Sequence, residues 1–400
     1  MKFLFAVAVA SALIALTACG HSKGKVKKDA DAPIPLAAMR SSVDVARVWS
    51  ASVGGDKPVL RLGLGLGADA QTVFAAGHDG DVAAFNAKNG HPLWRTRPKK
   101  IELSGGTGAG YGLVVVGSAK GDVIALKATD GSPVWRVKVG GEILSAPAVS
   151  ERVVVVRTVD GRLHGLNAAD GKELWREEQQ IPRLTLRGTA SPAIVGDVVY
   201  CGFDNGKVLA VSLADGTKLW ESTVSTPHGR TELERLVDID SAVHVSGEDV
   251  FAVGFQGRVA MLARDSGQVW WSHELSSYRG LDVDDNGVVI ATAGGQLVML
   301  ARRTGIEMWH NDSLLRRRLS APTIVGDFVA VVDLEGIVHW FDVHSGEAVA
   351  RSKAGDAVST APLAIGGLLV VLTDKGHIQA LRPGDRSAAA AAPAADSRKP

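Results

Sequence analysis

Few residues in this 400-residue sequence have the types and spacing that catalysis or metal binding requires. Asp282-Val283-Asp284-Asp285-Asn286-Gly287 begins like a calcium loop, in which alternate side-chain oxygens coordinate the ion. The twelfth position holds Ala293 where a bidentate glutamate is needed, so a hairpin turn is the better interpretation. His339 and His344 would not face one metal, and no Ser-His-Asp or Cys-His set stands in a supporting context. We therefore predict no catalytic residue, no metal site and no cofactor.

The two cysteines suggest covalent attachment of lipid and not a disulfide. Cys19 follows Leu16-Thr17-Ala18, which ends an apolar run of export-signal length that starts after Lys2. This arrangement resembles the bacterial lipobox, whose cysteine is acylated and becomes the new N-terminus; the alternative is an ordinary signal peptide with an incidental cysteine. Cys201 lies in an apolar strand pattern and should be a small buried hydrophobe. With Cys19 acylated, an intramolecular disulfide is not possible.

An internal repeat determines where all other residues lie. A glycine, one further residue and an apolar strand recur eight times at intervals of 38 to 51 residues, at Gly80, Gly121, Gly161, Gly206, Gly257, Gly295, Gly336 and Gly376. A glycine with a tryptophan four residues later follows the first six copies, and the seventh has Ala350 in the tryptophan position. Each unit reads as four short antiparallel strands. The period and strand content predict an all-β, eight-bladed β-propeller over residues 41–383.

The ends of the repeat predict how the ring closes. The last unit lacks its fourth strand, whereas the stretch 45–53 carries Trp49 without a unit of its own. We expect this N-terminal strand to complete the last blade and remove the exposed edges. The other repeat tryptophans should pack between neighbouring blades, where each buries a large apolar area.

Outside the propeller we predict three further segments. Residues 1–18 are a lipoprotein signal peptide, 19–40 a lipidated flexible tether and 384–400 a disordered Ala/Pro-rich tail. The net charge is +1, which gives no argument for nucleic-acid binding. The run Arg316-Arg317-Arg318 lies in a connection between blades and is expected to be solvated.

Two successive connections between blades are enlarged. The spacing from the blade tryptophan to the next strand signal is 12 to 13 residues in regular connections, 17 after Trp175 and 22 after Trp220. The two should therefore lie side by side on one rim. The first contains Leu184, Leu186 and Arg187, an apolar pair with a charged neighbour that suits a protein interface.

The second enlarged connection carries Asp238 and Asp240, which share a face of an extended chain because they are two residues apart. They could orient Arg187 or meet a basic partner. The alternative is that the leucines pack under their own connection and that the charges are solvated, and the residues alone leave both interpretations open.

The acylation motif, the eight-unit repeat with its tryptophans and Leu184-Thr185-Leu186-Arg187 together resemble the BamB family of outer-membrane protein assembly lipoproteins. The resemblance covers residues 1–383. It implies a non-catalytic scaffold, lipid-anchored through Cys19 at the periplasmic face of the outer membrane. It also implies docking on the POTRA domains of BamA through Leu184, Leu186, Arg187, Asp238 and Asp240. Unfolded outer-membrane proteins are a further class of partner that the resemblance leaves open.

Two other functions remain as alternatives. Quinoprotein dehydrogenases have similar blades, but they use pyrroloquinoline quinone, calcium and usually adjacent cysteines, and this sequence has only Cys19 and Cys201. A periplasmic propeller that binds a glycan or peptide would show a polar and aromatic central funnel, which a sequence does not reveal.

Overall fold

The structure is a computed structural model that describes residues 31–54, 64–98 and 101–385. These residues form 32 β-strands and no helix, and so none of them belongs to a helix that could cross a bilayer. The strands make eight antiparallel sheets of four strands each. The predicted all-β, eight-bladed propeller is thereby confirmed.

The first strand, β1, belongs to the last blade, and the other strands follow in chain order, four to a blade. Blade 1 contains β2 (Gly67–Ala68), β3 (Thr72–Ala76), β4 (Val82–Asn86) and β5 (Pro92–Thr96), and blade 2 contains β6 (Leu103–Gly110), β7 (Leu113–Ser118), β8 (Asp122–Lys127) and β9 (Pro133–Lys138). Blade 3 contains β10 (Ala148–Val149), β11 (Val153–Arg157), β12 (Arg162–Asn167) and β13 (Glu173–Glu178). Blade 4 contains β14 (Ala193–Val195), β15 (Val198–Gly202), β16 (Lys207–Ser212) and β17 (Lys218–Thr223). Blade 5 contains β18 (His244–Ser246), β19 (Asp249–Val253), β20 (Arg258–Ala263) and β21 (Val269–Glu274). Blade 6 contains β22 (Leu281–Val283), β23 (Val288–Ala291), β24 (Leu297–Leu300) and β25 (Glu307–Asn311). Blade 7 contains β26 (Thr323–Val325), β27 (Phe328–Val332), β28 (Ile337–Asp342) and β29 (Ala348–Lys353). Blade 8 contains β30 to β32 and β1, with bounds Leu363–Ile365, Leu368–Leu372, His377–Pro383 and Val45–Ser52.

The second strand of each blade is apolar on successive residues because both faces of the sheet are covered by neighbouring blades. In β11, Val153 to Val156 are all buried, and their side chains divide between two apolar clusters. β-Branched residues suit this position because they pack well on a pleated surface. The core is therefore a set of apolar layers between blades.

The repeat tryptophans connect each blade to the next. The Trp135 Nε1–H donates to the carbonyl of Ala168 in the following blade at 2.8 Å, and the indole covers Gly171. A Cβ at Gly171 would lie 2.7 Å from the ring, which explains why glycine occupies that position. The same hydrogen bond, at 2.8 to 3.0 Å, joins Trp49 to Ala87, Trp94 to Ala128, Trp175 to Leu213, Trp220 to Arg264, Trp271 to Arg302 and Trp309 to Val343. The predicted packing between blades is confirmed.

Blade 7 lacks the outer tryptophan and fills the space from its third strand. Ala350 pairs with Trp340 across the sheet, and Trp340 is fully buried. The Trp340 Nε1–H donates to the Ser352 hydroxyl at 3.1 Å. Blade 7 therefore still buries one indole ring, but the tryptophan comes from its third strand and not from its fourth.

The ring closes as predicted, since β1 pairs antiparallel with β32, from Val45 opposite Pro383 to Ser52 opposite His377. Residues before β1 also contact the propeller: Leu36 packs on the apolar layer between blades 6 and 7, and the Arg351 guanidinium donates to the Ala37 carbonyl at 2.7 Å.

Arg317 differs from the solvated arginine run that the sequence predicted. Its side chain is 4% exposed and pairs with Asp333 at 2.8 Å and Glu335 at 2.5 Å. The signal peptide, Cys19, most of the tether and most of the tail lie outside the described residues and stay predictions.

Candidate partner-docking site

The connections between blades surround one end of the central channel, which we call the channel mouth. It holds a cavity of about 810 Å³ that seven of the eight connections line. Leu186, Arg187 and Asp240 of the two enlarged connections are part of this lining. The two connections therefore lie on one rim, as their lengths predicted.

The first enlarged connection, between β13 and β14, presents an apolar side chain with a charged neighbour. Leu184 is 38% exposed, while Leu186 is half-buried and borders the cavity. The Arg187 Nη2 lies 2.7 Å from Glu142 Oε1, and half of the Arg187 side chain remains exposed. Glu142 comes from the connection between blades 2 and 3, so this ion pair joins two connections across the rim.

Asp238 holds the first connection in place from beneath. Its side chain is fully buried, and Oδ2 accepts the backbone N–H of Leu186. The Asp238 carbonyl accepts the Phe255 N–H at 2.8 Å, which ties the residue to blade 5 as well. Asp238 is therefore a positioning residue for the apolar pair, and a partner would not reach its carboxylate directly.

Asp240 lies on the cavity side of the same rim. Its carboxylate is in contact with Gly188, where an added Cβ would lie 3.1 Å from Asp240 Cγ. Oδ1 is buried and makes no hydrogen bond to the described residues. Both aspartates thus contact the first connection, Asp238 at the Leu186 N–H and Asp240 at Gly188, whereas Arg187 pairs with Glu142.

A buried arginine partly balances the charge beneath the site. Arg157 and Asp204 form an ion pair of 2.9 Å, both side chains being almost completely buried, and the guanidinium lies 4.6 Å from the centre of the Phe203 ring. Asp204, Asp238 and Asp240 therefore share a single nearby guanidinium. Charge of this kind is costly to bury unless it is paired or neutralised by a proton.

The pKa values of the two site aspartates reflect that surplus of negative charge. Burial raises the pKa of Asp238 to about 6. The Leu186 N–H lowers this pKa because it donates to the carboxylate, and the negative charge of Asp204 raises it further. Burial and the neighbouring Asp204 and Asp238 raise the pKa of Asp240 to about 8. At neutral pH Asp240 is therefore largely protonated and uncharged.

Two residues of this site were missing from the sequence-based set. Glu142 could have been suggested by its place just before Ser145-Ala146-Pro147 in the preceding connection on the same rim. Arg157 gives no comparable signal, because it merely ends an all-valine strand. The structure brings all five predicted residues to this rim, with Leu184 and Arg187 exposed and Asp238 buried.

The acidic run Asp282 to Gly287 forms the hairpin turn between β22 and β23 of blade 6, as the sequence indicated. Asp284 Oδ1 accepts the backbone N–H groups of Asn286 and Gly287 at 2.8 and 3.2 Å. Within the described residues, no group of three or more His, Cys, Asp or Glu side chains is placed to hold a metal ion.

Comparisons with known proteins agree on one family. A family model described as "Outer membrane protein assembly factor BamB" matches residues 78–311 and 293–389. A protein of that name from Pseudomonas aeruginosa is 39% identical over 87% of this chain and 92% of its own length. Another from Burkholderia pseudomallei is 35% identical over 96% and 98%.

Solved structures give the same relationship and a wider fold group. The crystal structure of BamB from Moraxella catarrhalis matches with a TM-score of 0.78 and 26% identity, over 85% of this chain and all of that chain. A quinohemoprotein alcohol dehydrogenase from Pseudomonas putida HK5 matches with a TM-score of 0.65 at 14% identity, over 86% and 77%. The second likeness shows a shared fold alone.

Proposed function

This chain belongs to the family of the outer membrane protein assembly factor BamB, and from that premise we propose that it is a scaffold for the assembly of outer-membrane β-barrel proteins. Its role in this proposal is to dock on the POTRA domains of BamA through Leu184, Leu186 and Arg187. Asp238 and Asp240 support that surface from below. Acylated Cys19 would hold the protein at the periplasmic face of the outer membrane.

The observation that carries the docking proposal is that an apolar side chain, Leu184, and a charged one, Arg187, are both exposed on a connection that other residues hold in place. Leu184 is exposed. Its connection is held by the hydrogen bond from the Leu186 N–H to Asp238 and by the ion pair between Arg187 and Glu142. A surface that is ordered before binding loses less conformational entropy when a partner arrives. Leucine surrounded by polar groups, with arginine beside it, has the composition of an interface anchor.

We propose no reaction for this site. The curated relatives are named as an assembly factor, and the likeness to a quinohemoprotein dehydrogenase extends to the fold alone. The partner would offer an acidic group to Arg187, since that guanidinium is half exposed and already donates to one carboxylate, that of Glu142.

The docking proposal is tested by titrating soluble POTRA domains of BamA against the folded protein. Leu184→Ala and Arg187→Glu should each weaken binding by about 2 kcal/mol or more, roughly 30-fold, because each removes a side chain from a desolvated contact. Leu174→Ala and Arg303→Glu are matched controls, since these exposed side chains lie away from the channel mouth. Melting curves check that every variant is folded. Unchanged binding by both rim variants would show that the docking rim is wrong.

A further inference from the structure

Arg279 is a charged side chain at the channel mouth that the docking proposal does not use. It lies in the connection between β21 and β22, lines the 810 Å³ cavity and is half-buried. Its side chain makes one hydrogen bond to the described residues, from Nη1 to the Ser359 carbonyl at 2.8 Å. Ser359 belongs to the connection between blades 7 and 8, so the arginine reaches past one whole connection along the rim.

Several contacts fix Arg279 in place. The buried Ser277 hydroxyl accepts the backbone N–H groups of Arg279 and Gly280 at 3.1 and 3.0 Å. The guanidinium lies 5.0 Å from the centre of the Tyr278 ring, and Tyr278 packs edge-on against Phe255. The carboxylate of Asp374 in turn holds Ser359 by its N–H and hydroxyl at 2.9 and 2.8 Å. Such support is typical of side chains that are pre-oriented for a ligand.

The edge of the guanidinium formed by Nε and Nη2 has no partner among the described residues. Nε is buried without a hydrogen bond, and Arg279 forms no ion pair there. This edge is the one that pairs side-on with a carboxylate through two parallel N–H···O bonds. A buried donor without an acceptor is costly, so an anionic ligand that supplied one would be stabilised.

The other charges of the channel mouth do not compete for Arg279. Arg187 pairs with Glu142, while Asp282 lies 3.5 Å from His244 and accepts the Ile324 N–H at 2.8 Å. Asp240 has a pKa raised to about 8 and is therefore mostly neutral at pH 7, so it does not repel an anion strongly. Arg279 thus contributes an uncompensated positive charge to the cavity.

We propose that the channel mouth is a binding site for an organic carboxylate with an adjoining apolar group, in which Arg279 pairs with the carboxylate. The apolar group would contact Phe255, Tyr278 and some of the leucines of the cavity wall, among them Leu186, Leu281 and Leu363. A cavity of this volume with a few polar groups among apolar side chains is of the size that holds small ligands or a short peptide segment. A small acid and a polypeptide carboxylate would offer the same chemistry.

The test compares N-acetyl-phenylalanine with its neutral carboxamide by calorimetric or NMR titration. The native protein should bind the acid at least about 10-fold more tightly, since hydrogen bonds to charged groups are the stronger ones. Arg279→Gln should abolish this preference, whereas Arg303→Gln, a change at an exposed arginine outside the cavity lining, should retain it. Tyr278→Leu should weaken binding of both probes alike, because it removes ring contact and keeps the charge.

Three results would overturn the proposal: equal affinity of the native protein for acid and amide, an acid preference that survives in Arg279→Gln, or no binding of either probe at millimolar concentration. A blocked peptide with one internal glutamate distinguishes the two sources of carboxylate. Tighter binding of the peptide identifies a polypeptide as the carrier, and tighter binding of the free acid identifies a small molecule. These titrations contain no POTRA domain, so their failure leaves the docking proposal standing.

Discussion

At the scale of single residues, the two site aspartates have different tasks although they are two positions apart. Asp238 is buried and holds the Leu186 backbone, while Asp240 borders the cavity with one oxygen that lacks a partner. The sequence predicted that they share a face, and it left open whether they orient Arg187. The structure gives that task to Glu142. A contact between separate connections depends on the angle between blades, which a strand pattern does not contain.

The raised pKa of Asp240 predicts how stability depends on pH. The folded pKa of about 8 lies above the ordinary aspartate value of about 3.9, so the folded protein keeps a proton that the unfolded chain has lost. Stability therefore falls as pH rises from about 4 to about 8. An asparagine side chain cannot ionise, so Asp240→Asn removes this loss of stability. The gain in the free energy of unfolding that it causes should be larger at pH 8 than at pH 5 by about 1 kcal/mol or more.

Thermal melts of native protein and Asp240→Asn at both pH values measure this difference. Asp265→Asn is the control, because it removes an aspartate carboxylate from an exposed position. The same melting-temperature change for Asp240→Asn at pH 5 and pH 8 would contradict a pKa raised by burial.

At the scale of elements, the repeat phrase of glycine and tryptophan joins two different blades. The tryptophan of one blade covers the glycine of the next, as Trp135 covers Gly171. Strand type, order and the turn after each third strand could be predicted from this phrase, because each depends on neighbouring residues. The buried position of Arg317 could not, because its partners Asp333 and Glu335 follow on the next blade and nothing in Arg316-Arg317-Arg318 distinguishes the middle residue.

Gly171→Ala tests the contact between blades. Gly171 has φ of 75°, and a Cβ there would meet the Trp135 ring at 2.7 Å, so the substitution combines backbone strain with a clash. Gly196→Ala is a matched control, since Gly196 has φ of 60° and open space around its Cβ position. We expect Gly196→Ala to cost about 1 kcal/mol and Gly171→Ala about 1 to 3 kcal/mol more in chemical denaturation. Equal losses would mean that the indole contributes nothing beyond strain.

At the scale of the whole molecule, the ring depends on a strand from the opposite end of the chain. β1 supplies the outer strand of blade 8, and its Trp49 donates to the Ala87 carbonyl of blade 1 at 2.9 Å. The number of blades and this closure could both be predicted, because they follow from counting repeats. The position of Arg279 could not, since its partner Ser359 is 80 residues away and only the closed ring brings the two together.

Deletion of residues 41–53 tests closure. Without β1, β32 loses its hydrogen-bonding partner and Gly90 of blade 1 loses the Trp49 ring that covers it. The edge of β32 then becomes available for pairing with other molecules. We expect the shortened chain to unfold or aggregate, as measured by melting and by size-exclusion chromatography. A chain that begins at residue 41 retains β1 and should remain monomeric with a single melting transition. Unchanged melting of the protein that lacks residues 41–53 would refute closure by this strand.

The pairing of β1 with β32 also determines when the last blade can form during synthesis. Synthesis delivers β1 early, yet its hydrogen-bonding neighbour ends at Pro383. Seven sheets can form while the ring stands open, and the eighth is finished only by a full-length copy. A prematurely stopped product therefore carries an N-terminal strand whose backbone N–H and C=O groups lack their partners in β32.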